Sequence, residues 1–174
     1  ANGELRMVHG TWTGQTNGGA YQDGNLSFGF QPDLVWGKRR ETEGNHWLID
    51  SVRGPSQGLH SDDTAGQWND PNVYTGLTSN GVSLGGHTIS NTSGGTYVAW
   101  AWKAGGAPEA GFGEYNAMID GEAADCRDIA AKAGATITPT AMSVGTETGF
   151  SIIQYQGTGS GGATVSHGLS PVSY

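Results

Sequence analysis

The residues best placed by type and spacing to do chemistry are one serine, five histidines, a few paired carboxylates and several tryptophans. Ser56 sits in Gly54-Pro55-Ser56-Gln57-Gly58, the spacing of a nucleophile elbow, where a sharp turn from strand into helix lifts a serine hydroxyl toward an acyl group. The residues that follow, Leu59-His60-Ser61-Asp62-Asp63, are polar and lack a helical period, so a plain turn is the better reading. Gly157-Thr158-Gly159-Ser160-Gly161-Gly162 satisfies a dinucleotide-loop pattern, but that chemistry needs a helix N-terminus aimed at a pyrophosphate, and another extended segment follows. A hairpin loop is expected there.

His9, His46, His60, His87 and His167 share no short ligand spacing, and neither HExxH nor CxxC occurs, so no transition-metal site is expected. Asp62-Asp63 with Asp70 could face a calcium ion, yet the EF-hand ligand pattern is missing and a solvated acidic loop fits better. Glycoside hydrolysis needs two carboxylates held across one bond. The nearest pair, Glu41-Thr42-Glu43, lies in a turn-like stretch that faces water.

Trp47, Trp68, Trp100 and Trp102 could stack against pyranose faces, although core packing should claim most of them. Trp68, set among Gly66-Gln67 and Asn69-Asp70-Pro71, is the one expected at the surface, and Trp68, Asp62 and Asn69 form the candidate glycan contact. No catalytic residue, cofactor or resident metal is expected, and the chain reads as a non-enzyme.

Elements must hold these residues, and composition says which kind. The 174 residues can enclose one ordinary core and the beginning of a second. Gly reaches 31 residues while charged residues fall to 14%, a balance that suits short strands joined by tight turns. Disorder is excluded by 6 Trp, 6 Tyr and 4 Phe, which need a core or an interface. A net charge of -8 with only eight Lys and Arg argues against a nucleic-acid partner, the densest basic group being Lys38-Arg39-Arg40. The single Cys126 excludes an internal disulfide, and no apolar run is long enough to insert in a membrane.

Period-two patterning predicts strands at 6–13, 26–30, 33–38, 46–51, 81–84, 96–103, 150–156 and 163–167. The clearest is 96–103, where Tyr97, Ala99 and Ala101 alternate with Val98, Trp100 and Trp102. Turns are expected at Asn17-Gly18-Gly19, Asp23-Gly24, Asn80-Gly81 and Ser93-Gly94-Gly95, and residues 56–73 read as a long connection. One short helix is expected near 121–133, with Glu122 and Asp125 early, Lys132 late and Gly134 as the stop. Cys126, Ile129, Ala130 and Ala133 share its stripe, which makes Cys126 a buried apolar residue. The expected fold class is all-β, an antiparallel β-sandwich or barrel.

The C-terminal part echoes the N-terminal part. Residues 6–14 and 150–157 each run as an apolar strand to an aromatic and then a Gly turn, and Ser27-Phe28-Gly29-Phe30-Gln31-Pro32 parallels Ser166-His167-Gly168-Leu169-Ser170-Pro171. The expected organisation is a main module over 1–106, a connecting segment with the helix over 107–149, and the opening of a second, incomplete module over 150–174, with the rest of that module expected in a longer parent polypeptide or in a further C-terminal portion.

Specific strings then carry a family likeness: FQPDLVWGKRR (30–40), HWLIDSVRG (46–54), TSNGVSLGG (78–86), SGGTYVAWAWKAGG (93–106), ITPTAMSVGTETGFSIIQYQGTG (137–159) and VSHGL (165–169). With these, in order over most of its length, the chain resembles the repeated modules of tail-fibre and appendage proteins of marine bacteriophages, especially cyanophages. The resemblance implies a structural virion protein on an extracellular appendage, with an antiparallel β-sandwich of lectin-like or jelly-roll type. Its implied partners are further copies of itself as a homo-oligomer, often three-fold in fibres, other virion proteins and a host surface glycan. It brings no catalytic residues. Lys38-Arg39-Arg40 departs from such modules, which tend to carry an apolar residue before the lysine.

Overall fold

The computed structural model describes residues 7–14, 24–54 and 56–169. Its strands are β1 (Met7–Thr13), β2 (Gly24–Ser27), β3 (Leu34–Arg39), β4 (Trp47–Asp50), β5 (Gln57–His60), β6 (Trp68–Asn69), β7 (Tyr74–Thr78), β8 (Gly81–Leu84), β9 (Thr96–Trp102), β10 (Asn116–Ile119), β11 (Glu122–Asp125), β12 (Ala141–Gly145) and β13 (Phe150–Gln154). Two short helices, α1 (Thr88–Asn91) and α2 (Cys126–Ala133), complete it, and neither is long enough to cross a membrane. The fold is all-β, a sandwich of antiparallel sheets with short helical pieces. The chain divides into two compact units, Met7–Trp102 and one that takes up from Lys103.

In the first unit a six-stranded sheet, ordered β1-β9-β3-β4-β5-β6, buries one face against a three-stranded sheet, β2-β8-β7. Strand alternation decides which face is buried. On β9, Tyr97, Ala99 and Ala101 are wholly buried, while Val98, Trp100 and Trp102 stand half-buried on the other side. Directly opposed residues share a face, so one row crosses five strands as Gly10, Ala99, Gly37, Trp47 and His60. Its three small residues leave a trough that the Trp47 indole fills: a Cβ on Gly37 would lie 2.0 Å from that ring. Trp47, Val35, Ile49, Tyr74, Val82 and Leu84 make the core, each buried apolar side chain contributing about 1.5–3 kcal/mol.

The next row places Trp12 beside Tyr97, stacked with centroids 5.0 Å apart, and Trp12 meets Trp47 edge-on at 6.4 Å. This aromatic row anchors α1. The Trp12 indole N–H donates to the Ser90 carbonyl at 3.2 Å, and the Tyr97 hydroxyl donates to the Thr88 carbonyl and accepts from the Thr92 N–H. Ser90 is buried and donates to the Val73 carbonyl. So short a helix has little stability of its own, and its tertiary contacts supply what it lacks.

The opposite corner, at 50–54, is closed by a buried polar network. Asp50 accepts from the Val52 and Arg53 N–H groups and pairs with the Arg53 guanidinium at 2.5 Å, with both side chains largely shielded. Tyr74 donates to the Gly54 carbonyl at 2.5 Å, and burial pushes its hydroxyl well above the usual phenol range.

In the second unit the order β11-β10-β12-β13 contains one parallel pair, β10 with β12, among antiparallel neighbours. Met118, Ala117, Cys126, Met142 and Val144 are buried in it, with Ile119, Ile129 and Ile153 packed around. The expected helix over 121–133 is shorter, and the reason is local. Asp120 and Gly121 both hold positive φ (50° and 89°), a hairpin turn that sends residues 122–125 back as β11. The helix begins only at Cys126, where the Asp125 carboxylate caps the Arg127 N–H, and ends at Gly134 in the left-handed region.

Other expectations shift as well. Residues 56–73 contain β5 and β6, and 163–167 yields a single bridge, Ile137 to Val165, in place of a strand. The units divide at Trp102/Lys103, and residues 107–149 do not form a separate connection. They supply β10, β11, α2 and β12, and β13 pairs with all five residues of β12, drawing 150–154 into the same sheet. In the echoed segments β1 and β13 each end their sheet's strand order, and Gly29 and Gly168 both take positive φ (83° and 72°). The turn expected at 17–19 and the residues after 169 lie outside the described residues.

Candidate binding groove

Strand β6 is only two residues long, yet it positions Trp68. Trp68 lies opposite Gly58 of β5, and a Cβ on Gly58 would come within 2.1 Å of the indole and 2.7 Å of the Leu48 carbonyl oxygen. The indole therefore packs directly against bare backbone, which only glycine permits. His60, two residues along β5, faces the same side with its ring 6.1 Å from the indole.

Beside these rings two adjacent cavities open. One, of about 170 Å³, is lined by Trp68, His60, Asp70, Val73, His87 and Ile89. The other, of about 250 Å³, shares His60 and Ile89 and adds Arg39, Glu43, Asn45 and Thr88. Each alone is smaller than the usual small-ligand site of roughly 300 Å³ and upward. The Trp68 Nε1 is buried and donates to no described acceptor, so the part of the indole that meets the cavity is carbon.

The polar rim has a fixed pattern of donors and acceptors. His87 precedes α1 as its N-cap, its Nδ1 accepting from the Ile89 N–H at 3.1 Å. That fixes the proton of the neutral ring on Nε2, which faces Asp70 Oδ2 at 3.8 Å. His60 is the reverse. Its Nδ1 lies 3.2 Å from the His46 carbonyl oxygen and must donate to it, which leaves Nε2 as an acceptor. Asp70 Oδ1 accepts from the Asn72 N–H and side-chain amide, and Asn45 donates to Asp63. Arg39 is committed to Glu41, Nε to Oε1 at 2.6 Å. That guanidinium, with Thr96, holds the Glu41 carboxyl down at about 2.

Of the three expected glycan contacts, the structure brings only Trp68 to these cavities. Asp62 accepts from the His46 N–H at 2.8 Å and lines neither cavity. Asn69, next to Trp68 on β6, points to the opposite face and is exposed. His60, Asp70 and His87 come from three separate stretches and were not singled out as glycan contacts. The one local signal for them was the alternation Gly58–His60.

The other motifs fall elsewhere. Ser56 does take a strained positive φ of 69°, but β5 follows it instead of a helix. Gly157–Gly162 is an exposed loop. Cys126 is buried and its thiol is pushed up to about 11 by burial and by Asp125, far from thiolate chemistry at neutral pH. Asp63 Oδ1 accepts from the Ala65 N–H. No group of three metal-binding side chains forms among the described residues.

No curated protein and no solved structure matches the chain. The model of a family described as a domain of unknown function (DUF7483) matches residues 9–173, reaching across both units, and the chain belongs to that family.

Proposed function

We propose that this chain is a non-catalytic structural module of a bacteriophage virion appendage, a tail fibre or similar, that serves assembly and attachment to the host surface. The observation that carries the reading is how its reactive-type side chains are used. Asp50, Asp62, Asp63, Asp70 and Asp125 each accept from a backbone N–H one to three residues away or across a strand pair, and Glu41 holds the Thr96 N–H at the start of β9. Carboxylates spent on loops and caps stiffen a scaffold. The likeness of residues 30–40, 46–54 and 93–106 to phage appendage modules supports the same reading. The partners are further copies of the chain, other virion proteins and a host glycan.

Mass spectrometry of gradient-purified particles from the source tests this. Peptides of the chain should co-purify with intact particles in structural-protein amounts. Their confinement to the soluble lysate would refute the proposal.

A second reading, a carbohydrate-binding module, is favoured by one specific observation: the groove brings the Trp68 indole, its Nε1 buried, together with the polar side chains of His60, Asp70 and His87.

A further inference from the structure

Resting on that second reading, we infer that the groove walled by Trp68 is a binding site for an uncharged pyranose, its ring face on the indole and its hydroxyls on His60, Asp70 and Asn45.

Three features select this class. The first is the mixture in the lining: Trp68, Val73 and Ile89 are apolar, while His60, Asp70 and His87 are polar. A pyranose is amphipathic in the same way, with C–H groups on a face and hydroxyls around the edge. The second is the mixture of roles on the rim. The His60 Nε2 and the Asp70 and Glu43 carboxylates accept, while Asn45, whose amide keeps a second N–H beyond the one given to Asp63, donates, and only a ligand whose groups both give and take hydrogen bonds satisfies such a set. The third is charge. Glu43 and Asp70 face the cavities, the lining cation Arg39 is already answered by Glu41, and His87 is directed at Asp70. A uronate or sialate would meet two carboxylates with no uncommitted guanidinium to balance them. Preorganisation is built in, because Trp68 is pressed on Gly58 and His87 is fixed as the cap of α1.

The test is a titration of the ¹⁵N-labelled chain with the methyl pyranosides of glucose, galactose and mannose, and with glucuronate at matched ionic strength. It is followed on the Trp68 indole signal, which Trp68→Phe assigns. At least one neutral sugar should give a saturable shift with a dissociation constant on the order of 1 mM. Trp68→Ala should weaken it by roughly tenfold or more, whereas Trp100→Ala, on the other face of the sheet, should leave it unchanged. His60→Ala removes an acceptor while sparing the packing on Gly58, and it too should weaken binding, so the test survives a poorly folded Trp68→Ala. No saturable shift with any of the three up to about 100 mM, or tighter binding of glucuronate, overturns the inference. Silent titrations with a chain found in particles would remove only this site. Sugar binding by a chain absent from particles would remove only the appendage reading.

Discussion

The two units solve the same problem with different materials. The first, Met7–Trp102, holds all six tryptophans and fills the space between two sheets with large rings set against glycine and alanine. In the second, from Lys103 onward, the core cluster is Ala117, Cys126, Met142 and Val144, and a capped helix forms part of the connection from β10 to its parallel neighbour β12. Large rings on bare backbone leave irregular gaps where a short strand ends, and the groove lies at such an end, beside β6. Small side chains under a helix close more evenly.

Breaking the corner network of the first unit should have the largest effect. Asp50→Ala leaves the Arg53 guanidinium buried without its carboxylate, and unfolding followed by tryptophan fluorescence should show a loss of about 3–5 kcal/mol. Gly58→Ala comes next. The added methyl drives the Trp68 ring off β5 and crowds the Leu48 carbonyl, for a loss of about 1–3 kcal/mol together with a displaced Trp68 signal. A ring that keeps its environment in Gly58→Ala would mean that the indole does not rest on that strand.

In the second unit the sharper probe is Asp125→Ala. It removes the acceptor for the Arg127 N–H and the partner of the Arg127 guanidinium, so hydrogen exchange in the first turn of α2 should quicken severalfold while the amides of β12 hold. The smallest effect belongs to Glu41. Its carboxyl, held by Arg39 and Thr96 at about 2 against an ordinary 4.5, stabilises the fold fully above 4.5, and that contribution is lost as pH falls through about 2. Glu41→Gln should flatten the acid limb of the stability curve, because it removes at neutral pH the small contribution that the wild-type chain loses only in acid. An unaltered acid limb would dissociate Glu41 from the start of β9.

Much of the first unit was legible because its strands alternate. Residues 96–103 and 81–84 announce β9 and β8, and 33–38 and 46–51 frame β3 and β4 closely. Strands β5 and β6 were hidden among polar residues, because what makes them strands is one cross-strand fit, Gly58 under Trp68, and not a local pattern. The helix start was misplaced at 121 because Glu122-Ala123-Ala124 has helical propensity. The Asp120-Gly121 dipeptide before it was the stronger signal. Trp68 was expected at the surface from its polar surroundings, whereas it stands half-buried and packed against the core, with its Nε1 shielded. Its companions could not be singled out, since His60, Asp70 and His87 converge only through the pairing of β5 with β6 and the anchoring of α1 by Trp12 and Tyr97.

The groove as a ready-made recognition surface depends on two imidazoles locked in opposite states, and nitrogen-resolved spectra of His60 and His87 near neutral pH read those states directly. The account predicts the Nδ1–H tautomer at His60, donating to the His46 carbonyl, and the Nε2–H tautomer at His87, accepting from Ile89. The same tautomer at both, or rapid exchange between the two forms at either ring, would contradict it.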